Sequence, residues 1–243
     1  MTRPSTMIFV SAGDHMELEM HQNHSYDLYI CYYGQSPAQA QRIKDLEPTY
    51  YFERKGSKMQ NFHYLWISAP SMGLDLNYDY YALLDDDIYI SKDNIKRLFE
   101  ILDQYQAWVL QPSFTVPGRI SHSITRASRH TMRFVNFIEV TCMFMSNWAL
   151  KQCMKVYDPV LIGWGIDYLF IQTLGKEHQD KFIIVDQISV CNPIKSVREL
   201  SLVEGYEQRE QRWKTFAALH GLTYKWTHMT YRSVPLRVDG SAP

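Results

Sequence analysis

Three short apolar runs constrain this chain most: MIFVSAGD (Met7–Asp14), YDLYICYYG (Tyr26–Gly34) and DYYALLDDD (Asp79–Asp87). Each is too short for a helix and breaks at glycine or aspartate, as buried strands do. The segments between them have helical punctuation. SPAQAQRIKDL (Ser36–Leu46) offers Ser36 as N-cap and Pro37 at the first helical position. SKMQNFHYLWISAP (Ser57–Pro70) reads as a helix closed near Pro70. The clearest helix is SKDNIKRLFEILDQYQ, capped by Ser91, with Ile95, Leu98, Phe99 and Leu102 on one face.

The second half continues the pattern. AWVLQPSF (Ala107–Phe114), IEVTCMFMS (Ile138–Ser146) and FIIVDQISV (Phe182–Val190) read as strands. NWALKQCMKVY after Ser146, IDYLFIQTLG ending at Gly175, and EGYEQREQRWKTFAALHG (Glu204–Gly221) read as helices. Strands alternating with helices imply an α/β fold, a mostly parallel central sheet flanked by helices. Ligands of such sheets bind outside the carboxyl ends of the strands.

Composition narrows the partners. The chain has 243 residues, 46% of them apolar, enough for one sizeable core. Its formal charge of −1 gives no basic surplus for nucleic acid. Four cysteines form no CxxC pair, so zinc is not expected and reduced thiols are. With no leader and no apolar run near the ~20 residues of a membrane helix, the expectation is no membrane span and a cytoplasmic setting. Rich aromatic content suits sugar or base stacking as well as a core. His21 and His24 lie in a polar stretch and read as surface residues.

Asp85, Asp86 and Asp87 follow an apolar strand directly, where like charges repel. Helix-start acids do not explain them, because Ser91 and Asp93 already serve that need. A solvated turn is the plain alternative. The chemical reading is a hard cation, Mn²⁺ or Mg²⁺, held by carboxylate oxygens together with substrate phosphates. Alternation in an extended chain places Asp85 and Asp87 on one face and Asp86 behind them.

YYALLDDDIYIS resembles the DxD motif of GT-A-type, nucleotide-sugar-dependent glycosyltransferases. FVNFIEVTCMFMSNWAL (Phe134–Leu150) and LIGWGIDYLF (Leu161–Phe170) resemble, in order, two later blocks of those enzymes. RISHSITRASRHTMRFVNFIEV is similar to the segment ahead of that strand in a bacterial branch of the group. The likeness covers roughly residues 7 to 193 and implies a single GT-A, Rossmann-like domain. Its nucleotide-binding part would be about 7–115 and its acceptor part about 116–243.

The resemblance also implies roles. Asp87 would bind the cation, and Asp85 the ribose or a metal-bound water. Asn192, just after the late strand, stands where a third ligand is often histidine; it is equally a turn residue before Pro193. Asp167 in GWGID would be the general base of an inverting transfer, with the first turn of a helix as its plain reading. Gly163 and Gly165 would let the backbone bend around a substrate, and Trp164 would offer a face to a sugar ring. Glu139 interrupts an apolar strand, so it either pairs with Arg119, Arg126, Arg129 or Arg133 or binds acceptor hydroxyls. Ala12, Gly13, Tyr33, Lys58 and Asp86 are the nucleotide-side candidates.

The donor would be a nucleotide diphosphate sugar, a UDP-sugar foremost, and the acceptor a carbohydrate or other hydroxyl in polysaccharide or glycan synthesis. Two other classes compete. A sugar-1-phosphate nucleotidyltransferase needs a Gly-rich basic loop after the first strand, and SAGDHMELEMHQNHSYD has no Arg or Lys. A non-catalytic nucleotide-sugar-binding domain predicts binding without turnover. The basic segment Pro117–Arg133 reads either as a loop that closes over donor or acceptor or as a solvated loop, and Trp213–Arg237 is expected to dock on the core.

Overall fold

The computed structural model describes residues 5–194 and 204–236. Nine strands form one sheet: β1 (Thr6–Ala12), β2 (Asp27–Tyr32), β3 (Tyr50–Glu53), β4 (Tyr80–Asp85), β5 (Val109–Phe114), β6 (His130–Val135), β7 (Cys142–Ser146), β8 (Phe182–Val190) and β9 (Thr230–Pro235). Their order is β3-β2-β1-β4-β7-β5-β8-β6-β9. The first four are parallel; β1, β2 and β4 were expected as strands, and β3 at the edge was not. The other half is mixed: β7 runs antiparallel to β4 and β5, β5 and β8 are parallel, and β6 is antiparallel to β8 and β9.

Among the described residues six α-helices cover the sheet: α1 (Pro37–Lys44), α2 (Lys58–Ser68), α3 (Lys92–Gln104), α4 (Asn147–Val156), α5 (Ile166–Leu174) and α6 (Tyr206–Leu219). Their starts follow the sequence. Ser36, Ser57, Ser91 and Ser146 each accept a bond from a backbone N–H three residues on. Strand alternation divides the core between two faces. Ile8, Val10 and Ala12 pack with α1 and α3 through Ala40, Ile43, Leu98 and Leu102. Met7 and Phe9 pack with α2, α4, α5 and α6 through Phe62, Leu150, Phe170 and Trp213.

Several expectations change. Strand β7 starts at Cys142, so Glu139 lies in the connection from β6 rather than inside a strand. The supposed loop from Pro117 to Arg133 ends in β6. Arg133 fixes that segment: its guanidinium donates to Asp186 at 2.8 and 3.0 Å and to the carbonyls of Ile124 and Arg126. The pair is buried and bidentate, so either partner alone would be an expensive buried charge. His21 is buried against Tyr26, not at the surface, and burial keeps it neutral. The C-terminal stretch reaches the core through Trp213 on α6 and adds β9, a strand the sequence did not announce. Arg237 lies outside the described residues.

Candidate functional site

A cavity of about 830 Å³ opens where β1, β2 and β4 end, bounded across from them by the β6–β7 connection and the N-termini of α5 and α6. It brings together Tyr33, Lys58, Asp85, Asp86, Asp87, Glu139, Trp164, Gly165, Asp167 and Asn192 from the sequence-derived set. Ala12 is a correction. It is buried on the α1–α3 face, and alternation turns its neighbour Ser11 to the cavity instead. Gly13 does not line the cavity either; its N–H donates to Asp86 Oδ2 at 2.6 Å.

The three aspartates are placed differently. Asp85 is the last residue of β4, beside Ser11 of β1. The strand ends there, so the alternation expected through Asp87 stops, and Asp86 and Asp87 form a turn. Asp86 is tied back by Gly13 and by the Tyr33 hydroxyl at 3.2 Å, while its carbonyl accepts from the Glu17 N–H at 2.7 Å. Asp85 Oδ1 sits 2.6 Å from the Lys58 ammonium. Lys58 also donates to the carbonyls of Val140 at 2.6 Å and Thr141 at 3.0 Å. It therefore clamps β4 to the β6–β7 connection, a role closer to orienting Asp85 than to a loose charge near a ligand.

Asp85, Asp87 and Asn192 offer hard oxygen donors to one space. Among the described residues no group of three His, Cys, Asp or Glu is arranged to hold a metal by itself. Two carboxylates and an amide oxygen are donors of the kind Mg²⁺ or Mn²⁺ takes, which completes its shell with water and phosphate oxygens. Asn192 is anchored at the rim, its carbonyl accepting from the Arg119 N–H at 2.7 Å.

Asp167 stands in the first turn of α5, across the cavity. The Val140 N–H donates to its Oδ1 at 2.9 Å. Burial raises its pKa to about 7, against that hydrogen bond and the Lys58 charge, which lower it. Glu139 is 3% exposed and is held near about 8, by burial first and by the neighbouring Asp167 charge second. Of the four arginines proposed for it, Arg133 goes to Asp186 instead, and Glu139 meets the Thr125 hydroxyl at 2.7 Å. The Arg119 charge lowers its pKa, against the burial. His122 also lines the cavity, and burial lowers its pKa to about 4, leaving a neutral ring.

The GWG turn is shaped by packing. Gly163 and Gly165 have φ of +77° and +87°. Trp164 lines the cavity, but its ring lies nearly parallel to those of Tyr168 and Tyr224, with the Lys225 ammonium over it. The open sugar-stacking face expected from sequence is thus shared with aromatic neighbours. Asp14, which the sequence places at the close of the first strand, has a role no local pattern marks: its carboxylate caps the turn after β2 by accepting from Gln35 and Ser36 N–H groups. The Tyr32 hydroxyl first, and then those backbone bonds, lower its pKa. Arg209 and Tyr206 reach the cavity from α6, and nothing local in the sequence marks them.

No family model and no curated protein matches the sequence. Solved structures do. S. aureus TarS 1–349 matches with TM-score 0.56 and 11% identity, over 89% of this chain and 71% of that one. TarS 1–349 in complex with UDP-GlcNAc gives 0.59 and 12%, over 88% and 66%. GalNAc-T7 with UDP, GalNAc and Mn²⁺ gives 0.58 and 10%, over 88% of this chain but 48% of that one. The chain has the GT-A fold. Identities this low carry architecture alone. No helix among the described residues is long and apolar enough to cross a membrane.

Proposed function

We propose that this chain is a metal-dependent glycosyltransferase that moves a sugar from a nucleotide diphosphate sugar to a hydroxyl acceptor with inversion at the anomeric carbon. One observation carries the reading. A single cavity sets an aspartate cluster at the strand ends opposite a carboxylate whose proton affinity lies near neutrality. Its volume falls in the few-hundred to about 1,000 Å³ range of ligand pockets.

The roles follow from position. The nucleotide lies over the ends of β1 and β2, beside Ser11, Tyr33 and Lys58. Lys58 orients Asp85 and joins the donor side to the acceptor side through Val140. Asp87, Asp85 and Asn192 would hold a Mn²⁺ or Mg²⁺, which would supply neutralising charge for the diphosphate leaving group. Asp167 takes the proton of the acceptor hydroxyl as it attacks. Its pKa suits a base working at neutral pH. The N-terminus of α5 and the Val140 N–H favour its ionised form. The complexes of TarS with UDP-GlcNAc and of GalNAc-T7 with UDP and Mn²⁺ support a UDP-sugar donor and a divalent cation. The setting proposed is polysaccharide or glycan synthesis, with the nucleotide-binding part at about 7–115 and the acceptor part at about 116–243.

The test is a panel of UDP-sugars with Mn²⁺ and mixed sugar acceptors, followed by UDP release and by NMR of the product anomer. UDP release with inverted product is the expected result. Transfer with retained configuration would remove Asp167 from the role of direct base. A nucleotide sugar that binds but never turns over would leave a binding domain.

A further inference from the structure

The Thr125 hydroxyl lies 2.7 Å from Glu139 Oε1 and 2.9 Å from the carbonyl oxygen of His122. A threonine hydroxyl has one proton and donates one bond, and a carbonyl only accepts. If the threonine proton serves the His122 carbonyl, the short contact to Glu139 needs a proton from the glutamate side. The His122 backbone N–H also reaches Glu139 and by itself favours the ionised form, but burial outweighs it. That acid is almost fully buried, in a connection fixed by the Gln111 amide oxygen, which accepts from the Glu139 N–H at 2.6 Å.

The next residue supplies the second observation. The Val140 N–H holds Asp167 Oδ1. Glu139 on that connection and Asp167 on α5, which the connection's Val140 N–H holds, are therefore two acids facing one cavity. Two close carboxyls with little water between them do not both ionise readily. The surrounding charges do not change the order. Arg119 from the β5–β6 connection favours ionised Glu139 but is outweighed by burial and by Asp167 of α5. Lys58 of α2 favours ionised Asp167, and Asp85 of β4 opposes it. The neutral His122 ring brings no charge.

We propose that Glu139 is a positioning residue that carries the resting proton of the site: as a neutral acid it donates to Thr125 and leaves the negative charge on Asp167. This rests on the reading of Asp167 as the base. It replaces the acceptor-binding role expected for Glu139 with control of where charge sits. When the pH rises far enough to remove the Glu139 proton, Thr125 must turn its own proton from His122 to Glu139. The site then holds a second negative charge facing an anionic donor, and transfer falls on the alkaline side.

Glu139→Gln mimics the neutral acid, and its amide can still donate to Thr125. Its pH profile of kcat/KM is expected to keep the acid limb and lose the alkaline limb. Glu139→Ala is expected to lose rate at every pH. A profile in which Gln is as damaged as Ala, or in which the alkaline limb survives in Gln, would overturn the proposal. An independent readout needs no turnover. Infrared difference spectra of wild type against Glu139→Gln at pH 7 are expected to contain the carbonyl stretch of a protonated carboxylic acid. A carboxylate signature at that position in the folded protein defeats the proposal, whether or not any sugar transfer is found. Failure of the UDP-sugar panel with the protonated band present defeats only the reading of the reaction.

Discussion

Asp167→Asn is expected to lower turnover by about 10²–10⁴-fold, the usual contribution of a general base, with nucleotide binding little changed. The amide has nearly the same shape as the carboxyl. Its side-chain oxygen can still accept from the Val140 N–H, so the start of α5 keeps its anchor. Only the basic site is lost. The nucleotide side of the cavity, at the ends of β1, β2 and β4, is built from other elements. The effect should therefore appear in kcat and equally in kcat/KM, not in KM alone. Wild-type activity should rise as pH passes about 7, because burial raises the Asp167 pKa and the base must be ionised to act. The variant should lose that rise. A raised KM at normal kcat would make Asp167 a binding group.

Gly165→Ala is expected to destabilise the fold by about 2–5 kcal/mol, combining roughly 1–2 for a side chain at positive φ with roughly 1–3 for overpacking. A Cβ there would stand 2.3 Å from two ring atoms of Trp213, at a backbone φ of +87°. Trp213 cannot easily retreat. It is fully buried, and its indole N–H donates to the Tyr224 carbonyl at 2.9 Å. The chain at Gly165 must then shift, and Asp167 with it. Denaturant unfolding should show the lower midpoint, and activity should fall in the fraction that remains folded. A stable, fully active variant would mean that α5 and α6 pack more loosely than described.

The sequence made most of the first half of the fold legible, the edge strand β3 excepted, because local and tertiary signals agree there. Ser36, Ser57 and Ser91 cap helices whose apolar faces match the sheet. Strand β4 ended where its apolar run met Asp85. Agreement failed where long-range pairing decides. Strands β6 and β9 are polar at many positions and are strands because they pair with β8 and with each other. Arg133 looked like part of a solvated basic loop, but its partner Asp186 lies 53 residues away. The site divides in the same way. Asp85, Asp86, Asp87 and Asp167 were visible as acids at element ends. The faces of Trp164, the neutral partner of Glu139, and Arg209 on α6 depend on packing that no local pattern records.

The most direct measurement is UDP binding with and without Mn²⁺, by thermal shift and calorimetry, on wild type and Asp87→Ala. A ligand that binds only the native state raises the midpoint by mass action. The account predicts that UDP stabilises the wild type in the presence of Mn²⁺, weakly or not at all without it, and that Asp87→Ala removes the Mn²⁺-dependent part. UDP binding indifferent to Mn²⁺ and to Asp87 would contradict the cation role. No shift with UDP or any other nucleoside diphosphate would contradict the donor site itself.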